Sequence, residues 1–299
     1  MSGAPMSFEK LMAATHRLCA SMDALAALGA ELRVRQDGLS PPRAVREHLH
    51  EVIRCVEPDM LADVTVDQEA TALAIIDSFF RQAADLLENP ERPPGWSYRD
   101  PVIINGQGMT SRAFVRAFEA VAADIPDFKA VLDSPGTFLD VGTGAGLLAI
   151  EAARAWPTWR VVAIDRWEPA LELARKNIAA SGIQDRIDLR VQNVEELEEL
   201  ETFSLAWLPG PFLSAETVTA ALERVKSALI PGGWLVFSRF SVGSERWSEP
   251  LTTLKVLRNG GYPWRKDELE SKLSEAGFEQ VGSYSTIGSA VTFGRRAAI

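Results

Sequence analysis

The apolar positions divide the chain into two parts with different periodicities. Through residues 7–88 they recur at helical spacing, in runs at 7–34, 41–56 and 67–89, which predicts helices without strands. Prolines at the start of the second run suit a first helical turn. The stretch NPERPPGWSYRDP, residues 89–101, then interrupts the pattern and predicts a linker or an ordered loop.

After a short predicted helix at residues 110–125, strand-like and helix-like segments alternate from residue 137 onward. The predicted strands are 137–142, 159–165, 186–193, 203–209, 232–240, 278–288 and 289–297, and the predicted helices are 146–156, 168–182, 214–229 and 267–277. Such alternation predicts right-handed crossovers and a parallel sheet covered by helices on both faces. The last two strands have no helix between them and predict a hairpin with one antiparallel strand. The expected fold is therefore α/β, a doubly wound, seven-stranded, mostly parallel sheet with an antiparallel terminal hairpin, plus an all-helical N-terminal domain.

Composition narrows the possible partners. The chain has 299 residues, of which 46% are hydrophobic, and a formal net charge of −10. This charge disfavours nucleic acid and anionic membranes as partners. No apolar run reaches transmembrane length, and the first residues lack the pattern of a secretory signal. The two cysteines, Cys19 and Cys55, are expected to be buried free thiols of a cytoplasmic protein, and no metal site is predicted.

The stretch FLDVGTGAG, residues 138–146, predicts a ligand-binding loop between a strand and a helix. Gly142 and Gly144 remove side chains that would block a ligand or forbid the turn, and Gly146 lets the helix start close to the strand. A dinucleotide loop would carry its third glycine where Leu147 stands, which disfavours an NAD-dependent oxidoreductase. A phosphate-binding loop of the G-K-[ST] type is absent from the sequence.

Two carboxylates flank this loop in the predicted sheet. Asp140 lies at the end of the first strand, where it could accept hydrogen bonds from a cationic group. Its negative charge would repel a pyrophosphate at the same place. Asp165 ends the next strand, where it could accept from both hydroxyls of an adenosine ribose. Together they indicate an adenosine ligand without a phosphate bridge. A turn cap for Asp140 and a helix N-cap for Asp165 are the structural alternatives.

The order LDVGTGAG, VVAID, a strand ending in QN, FSLAWLP and LIPGGWLVF resembles the class I S-adenosylmethionine-dependent methyltransferases, of the small-molecule type with a helical N-terminal extension. The resemblance covers residues 105–296 and implies S-adenosyl-L-methionine as the cofactor. It places Asp140, Gly142, Gly144 and Gly146 at the methionine end of the cofactor, Asp165 at the ribose, Arg166 or Trp167 against adenine, and Asn193 with Val194 at the adenine edge. The family often has Asp where Asn193 stands.

Three further residues receive roles from the same resemblance. Trp207 would floor the site where methyl donor and acceptor meet, with simple core packing as the alternative. Gln107 and Ser111, in INGQGMTSR at residues 104–112, could donate to the cofactor carboxylate, or could belong to ordinary helix capping.

The implied domain organisation has three segments. Residues 1–90 form a helical domain for homodimerisation, for covering the acceptor site, or for both. Residues 91–136 form a linker and a segment that covers the cofactor. Residues 137–299 form the catalytic domain that binds S-adenosylmethionine.

The resulting functional hypothesis is methylation of a small-molecule metabolite, on oxygen or nitrogen, in a biosynthetic pathway. The alternatives are a C-methyltransferase and a non-catalytic subunit that binds S-adenosylmethionine. No base is assigned, because His16, His48 and His50 all precede the catalytic part; one of them could reach over, a carboxylate or tyrosine could act, or no strong base is needed. After the fourth strand, LPGPF lacks the leading Asn or Asp of nucleic-acid methyltransferases. The acceptor itself is not specified by the sequence.

Overall fold

The computed structural model describes residues 5–286 and 289–298 and divides into two compact units, one up to Asp85 and one from Leu86 onward. The first four residues lie outside the described part of the chain. The same holds for residues 287 and 288, which end the strand predicted at 278–288, and for the last residue of the chain.

The first unit is helical, as predicted. It contains α1 (Pro5–Asp37), α2 (Arg43–Val56) and most of α3 (Val66–Glu88). Its small core joins Leu32 of α1 to Leu73 and Ile76 of α3. Gly29 permits this approach, because a Cβ atom there would lie 3.0 Å from Cγ2 of Ile76. Only the second half of α1 contributes to this core.

The expected burial of the two cysteines is wrong. Cys19 and Cys55 are both free thiols and both exposed. Cys19 lies in the first half of α1, where most residues are exposed, and Cys55 lies in the last turn of α2. Their helices show apolar periodicity, but periodicity identifies an apolar face without showing that another element covers it.

The second unit is built on a seven-stranded sheet with the order β3-β2-β1-β4-β5-β7-β6. The strands are β1 (Thr137–Val141), β2 (Arg160–Asp165), β3 (Ile187–Val191), β4 (Phe203–Leu208), β5 (Leu229–Arg239), β6 (Phe278–Thr286) and β7 (Ser289–Arg296). The first five pair in parallel, and β7 is antiparallel to both β5 and β6. The predicted fold class is confirmed. The strand order reverses between β1 and β4, so ligands are expected at the carboxyl ends of these two strands.

Eight helices accompany the sheet in the described part of this unit. They are α4 (Pro101–Arg112), α5 (Phe114–Asp124), α6 (Pro126–Leu132), α7 (Leu147–Ala155), α8 (Glu168–Ser181), α9 (Ala215–Ala228), α10 (Ser248–Arg258) and α11 (Lys266–Glu275). Where one short helix was predicted, α4, α5 and α6 follow one another. Asp100 starts α4 by accepting a hydrogen bond from the amide of Val102, and Pro101 fits the first turn. No helix was predicted where α10 lies, and its one buried residue is Val256.

The core of this unit lies in two layers, one on each face of the sheet. One layer contains Phe118, Phe138 and Trp234, and the other contains Phe203, Leu222 and Phe237. Helices therefore cover both faces, and the exposed openings lie at the ends of the strands. Within the described residues, no helix combines the length and the apolar composition that crossing a membrane requires.

Candidate active site

A cavity of about 550 Å³ lies at the carboxyl ends of β1, β2 and β4. Its walls come from α4, from the loops that follow four parallel strands, and from two segments that the sequence did not assign to a site. The sequence-predicted residues that line it are Gln107, Ser111, Asp140, Gly142, Gly144, Asp165, Arg166, Trp167, Asn193, Val194 and Trp207. The fold thus brings all the predicted site residues except Gly146 to one place.

The glycine loop takes a conformation that side chains would oppose. Gly142 has φ +64°, and a Cβ atom there would lie 2.8 Å from Cγ of Pro209. Gly146 has φ +76° and precedes α7, where a Cβ atom would lie 3.3 Å from Cβ of Ala174 in α8. Gly146 therefore allows close packing of two helices behind the loop, whereas Gly142 and Gly144 border the cavity itself.

Asp140 is a buried carboxylate with one of its two oxygens left without a hydrogen-bond partner among the described residues. The residue is 1% exposed. Its Oδ2 accepts from Oγ1 of Thr143 at 2.6 Å. Its Oδ1 is buried without a partner among the described residues. Burial raises the pKa of Asp140 to about 7, against the lowering effect of the Thr143 hydrogen bond. Asp140 does cap the turn, as the structural alternative proposed, but one oxygen stays available.

Asp165 fastens the glycine loop to the end of β2. Its Oδ2 accepts from the amide of Gly144 at 2.9 Å, and its Oδ1 accepts from the amide of Trp167 at 2.8 Å. Burial raises the pKa of Asp165, and the backbone hydrogen bonds oppose this shift. The N-cap of α8 is Trp167, not Asp165. Each carboxylate oxygen still has a lone pair for a further donor.

The residues predicted to contact adenine lie on one side of the cavity. Nε1 of Trp167 donates to the carbonyl oxygen of Tyr98 at 3.0 Å, which fixes the ring beside the cavity. Nδ2 of Asn193 donates to Glu195 at 2.7 Å, so the carbonyl oxygen of this amide is the group that stays free to accept. Arg166 and Val194 complete this side.

Gln107 and Ser111 reach the cavity from α4. The hydroxyl of Ser111 donates to the carbonyl oxygen of Gln107 at 3.1 Å, so it would have to rotate to donate to a ligand. The predicted donation to a carboxylate is therefore better suited to Gln107. Trp207 is 3% exposed and packs against Phe114 with ring centroids 4.4 Å apart. It is both a core residue and a cavity wall.

Sequence reasoning missed three further residues that line the cavity, Trp96, Phe212 and Asn259. The rings of Trp96 and Phe212 meet edge to face at 5.1 Å. Asn259 is 6% exposed, and its side-chain amide makes no hydrogen bond to the described residues. The only signal at Asn259 was the NGG sequence, which is typical of a turn.

The loops around Gly95 and Asn259 are joined to each other. The amide of Gly95 donates to the carbonyl oxygen of Arg258 at 3.0 Å, and Nη1 of Arg92 donates to the carbonyl oxygen of Gly95 at 2.8 Å. We call residues 92–96 together with 258–260 the roof. The only ionisable side chains among the described residues that line the cavity are Asp140, Asp165 and Arg166. No histidine, lysine, tyrosine, cysteine or glutamate of the described chain is part of its lining.

Comparison with known families identifies this region. Residues 138–233 match the family model described as methyltransferase domain. This region is a methyltransferase domain. The match includes the glycine loop, both carboxylates and the loop after β4. The cofactor of this methyltransferase family is S-adenosylmethionine.

Curated relatives match the methyltransferase domain and its surroundings. The release factor glutamine methyltransferase of Enterococcus faecalis is 29% identical over 169 residues, which are 49% of this chain and 59% of that protein. The ribosomal protein L11 methyltransferase of Syntrophomonas wolfei is 32% identical over 118 residues, which are 40% of this chain and 36% of that protein. The chain thus spans about half the length of the curated relatives it matches.

Solved methyltransferase structures resemble the whole chain. Human N-acetylserotonin methyltransferase in complex with its cofactor is 17% identical, with 99% of this chain and 100% of that chain covered and a TM-score of 0.59. A putative O-methyltransferase of Nostoc punctiforme is 19% identical, with 99% and 100% covered and a TM-score of 0.59. The pyocyanin biosynthetic protein PhzM is 15% identical, with 98% and 99% covered and a TM-score of 0.62. At such identities the likeness establishes a shared class I fold.

Proposed function

We propose that the protein transfers a methyl group from S-adenosylmethionine to a small-molecule acceptor. The observation that carries this proposal is the buried Oδ1 of Asp140, which lies beside the glycine loop without a partner among the described residues. A buried carboxylate oxygen without a partner is costly unless a ligand satisfies it. The ammonium group of the cofactor's amino-acid end is a cation of the required kind.

The other predicted residues would hold the rest of the cofactor. Asp165 would accept from the ribose hydroxyls through the lone pairs that its two backbone hydrogen bonds leave free. Arg166, Trp167, Asn193 and Val194 would contact adenine. Gln107 and, after rotation of its hydroxyl, Ser111 would donate to the cofactor carboxylate.

The cofactor supplies a methyl group that is already activated by its bond to a positively charged sulfur. The contribution of the chain is therefore to align the acceptor and to exclude water. Trp207, Phe212 and Trp96 provide apolar walls for that purpose, and Asn259 provides an amide that can orient a polar acceptor group. Since the described lining offers no conventional base on the acceptor side, an acceptor that attacks as a neutral amine or as an already ionised oxygen fits best.

The two loops of the roof favour a small molecule as the methyl acceptor. These two loops are held together by the hydrogen bond from Gly95 to Arg258, and both contribute residues to the cavity lining. We expect two joined loops of this kind to accommodate a metabolite more readily than a folded protein, which would have to extend a side chain into the cavity. A protein acceptor is nevertheless the second candidate, because the curated relatives described above are named for protein substrates.

Two experiments test the proposal. Calorimetric titration with S-adenosylhomocysteine should show micromolar or tighter binding, which Asp140→Asn should weaken strongly; absence of binding by the natural protein would refute the cofactor assignment. Transfer of a labelled methyl group should then be measured with a panel of small phenols and amines, with ribosomal protein L11 and a release factor in parallel. If only ribosomal protein L11 or the release factor became labelled, a protein acceptor would replace the small-molecule acceptor as the proposed substrate.

The sequence-predicted homodimer also becomes part of this proposal. Along α1, Phe8, Leu11, Leu18 and Met22 are all exposed. Their spacing places them on one face of the helix, which is typical of a surface that meets another helix. We propose that a second copy covers this face in a cytoplasmic homodimer, which sedimentation of Leu18→Glu against the natural protein would test.

A further inference from the structure

A second cavity, of about 380 Å³, lies at the carboxyl end of β5 between α10 and the segment that leads into α11. It shares no lining residue with the first cavity. The two are separated by the loop after β4, where Pro209 and Phe212 line the first cavity and Gly210 and Pro211 line the second. The second cavity is therefore a separate space behind one wall of the candidate active site.

Positive charge predominates in the lining of the second cavity. Arg239, Arg265 and Lys266 line it, against the single carboxylate of Glu249. Arg265 forms an ion pair with Glu249 at 3.7 Å, and both side chains are largely exposed. Lys266 likewise contacts Glu270 at 3.9 Å. These two cations lie at the margin, where water screens their ion pairs.

Arg239 differs from the two marginal cations. It is half-buried, and no carboxylate of the described chain lies within ion-pair distance of its guanidinium. Its one hydrogen bond to the described residues runs from Nε to Oγ1 of Thr292 at 3.4 Å. Burial lowers the pKa of Arg239, and the more distant charge of Glu270 opposes this effect. The planar guanidinium thus keeps both terminal nitrogens available for an anion.

A second donor in the same lining also lacks a partner. Nε1 of Trp264 is buried and makes no hydrogen bond to the described residues. The ring of Trp264 lies against Tyr262, with centroids 4.5 Å apart. Phe240 and Val256 add further apolar surface. A ligand with a flat apolar body and a group that accepts hydrogen bonds would match this combination.

We propose that the second cavity binds a small organic anion, whose carboxylate or phosphate group pairs with Arg239 and whose apolar body packs among Phe240, Tyr262 and Trp264. A guanidinium group binds a carboxylate or a phosphate through two parallel hydrogen bonds. The positive charges of Arg265 and Lys266 at the margin of the cavity would attract an anion of either kind. This site is distinct from the cofactor and acceptor positions proposed above and does not depend on them.

Calorimetric titration of the full-length protein with benzoate, phenyl phosphate and inorganic phosphate tests the proposal, with neutral benzamide as the matched control. We expect benzoate or phenyl phosphate to bind about ten times more tightly than benzamide. Whichever of these two anions binds more tightly identifies the preferred head group, carboxylate or phosphate. Inorganic phosphate should bind more weakly than phenyl phosphate, because it cannot use the aromatic wall. Equal binding of benzamide, or no binding of any anion, would overturn the proposal.

Substitutions locate the site. Arg239→Gln should reduce the affinity for the anion at least tenfold, while Arg224→Gln, on the exposed face of α9, should leave it unchanged. Should Arg239→Gln fail to fold, Arg239→Lys keeps the charge, removes the planar fork and should still weaken binding several-fold. Full affinity in a folded Arg239 variant would refute the assignment.

A competition experiment separates this proposal from the proposed function. The anion should bind equally well in the presence of saturating S-adenosylhomocysteine, because the two cavities share no lining residue. Competition between them would place the anion in the first cavity and overturn the inference. If the protein failed to bind S-adenosylhomocysteine at all, the anion titrations and the Arg239 variants would still decide this proposal alone.

Discussion

Glu31 in the helical unit and Asp140 in the sheet unit are both 1% exposed, yet their surroundings differ. Oε1 of Glu31 accepts from Nε of Arg35 at 3.3 Å and contacts Nε2 of His50 at 3.0 Å. The carboxylate of Asp140 accepts from the hydroxyl of Thr143 and from no cation of the described residues. The helical unit thus pairs one oxygen of its buried carboxylate with the guanidinium of Arg35, although Oε2 of Glu31 is left without a partner among the described residues. No cation of the described chain pairs with Asp140, so we expect a ligand to supply one.

The largest effect expected from this comparison is on cofactor affinity. Asp140→Ala would leave the cofactor's ammonium group buried without its counter-charge, which costs about 3 kcal/mol or more. We therefore expect the dissociation constant of S-adenosylhomocysteine to rise more than 100-fold by calorimetry. Asp133→Ala, on the exposed end of α6, is the matched control and should leave the affinity unchanged. A dissociation constant within threefold of the natural value would remove Asp140 from the site.

The second prediction concerns stability in the absence of ligand. Glu31→Gln should lower the free energy of unfolding of the helical unit by about 2 kcal/mol, because hydrogen bonds to charged partners are lost or weakened. Asp140→Asn should leave the stability of the sheet unit equal or raised, since an unpaired buried charge disappears. Chemical denaturation of the full chain, followed by hydrogen exchange in each unit, measures both. A loss in Asp140→Asn equal to that in Glu31→Gln would break the comparison.

The third prediction is a dependence of affinity and stability on pH. The pKa of Asp140 is raised to about 7 in the folded protein, so this group stabilises the ligand-free protein below pH ~4 and loses that contribution as pH rises toward 7. A cation requires the ionised form, so cofactor affinity should rise about tenfold per pH unit below 7 and level off above it.

Calorimetry in two buffers with different ionisation heats should detect the proton that Asp140 releases on binding at pH 6. Asp140→Asn should show neither this proton nor the rise in affinity between pH 6 and 7. A variant that retained both would assign the titration to another group.

The fourth prediction concerns Asp165, whose contribution to cofactor affinity we expect to be smaller than that of Asp140. Asp165→Ala should weaken binding of S-adenosylhomocysteine by about 1–3 kcal/mol, the cost of leaving ribose hydroxyls without an acceptor. Part of this loss would come from the glycine loop, because Gly144 and Trp167 lose the acceptor of their amide hydrogens. Titration with adenine alone is the control, since it lacks the ribose and should be affected less. Unchanged affinity for S-adenosylhomocysteine would contradict the ribose assignment.

The parts of the molecule that could be predicted from sequence are those in which one local rule dominates. Alternating strands and helices specify the doubly wound sheet, and a carboxylate before the glycine loop must lie at the carboxyl end of β1. Asp140, Asp165, Gly142 and Gly144 therefore meet in the cavity because the strand order itself brings them there.

The missed parts depend on contacts between segments far apart in the chain. Trp96 and Asn259 are 163 positions apart and line one wall only because the loop at Gly95 binds the loop after α10. The surroundings of Arg239 could not be predicted for the same reason. The sequence does not show that no carboxylate of the described chain lies within ion-pair distance of its guanidinium. For Cys19, an apolar helix face was visible in the sequence, but whether another element covers that face was not.

The hydrogen bond between Gly95 and Arg258 joins two loops that both line the candidate active site. If an acceptor and a product of similar size must both pass between the two loops, each cycle requires this bond to break and form again. The overall rate would then follow the opening frequency of the passage rather than the chemical step, as in enzymes limited by product release. Solvent viscosity would slow such a cycle even with every group at the reaction centre intact.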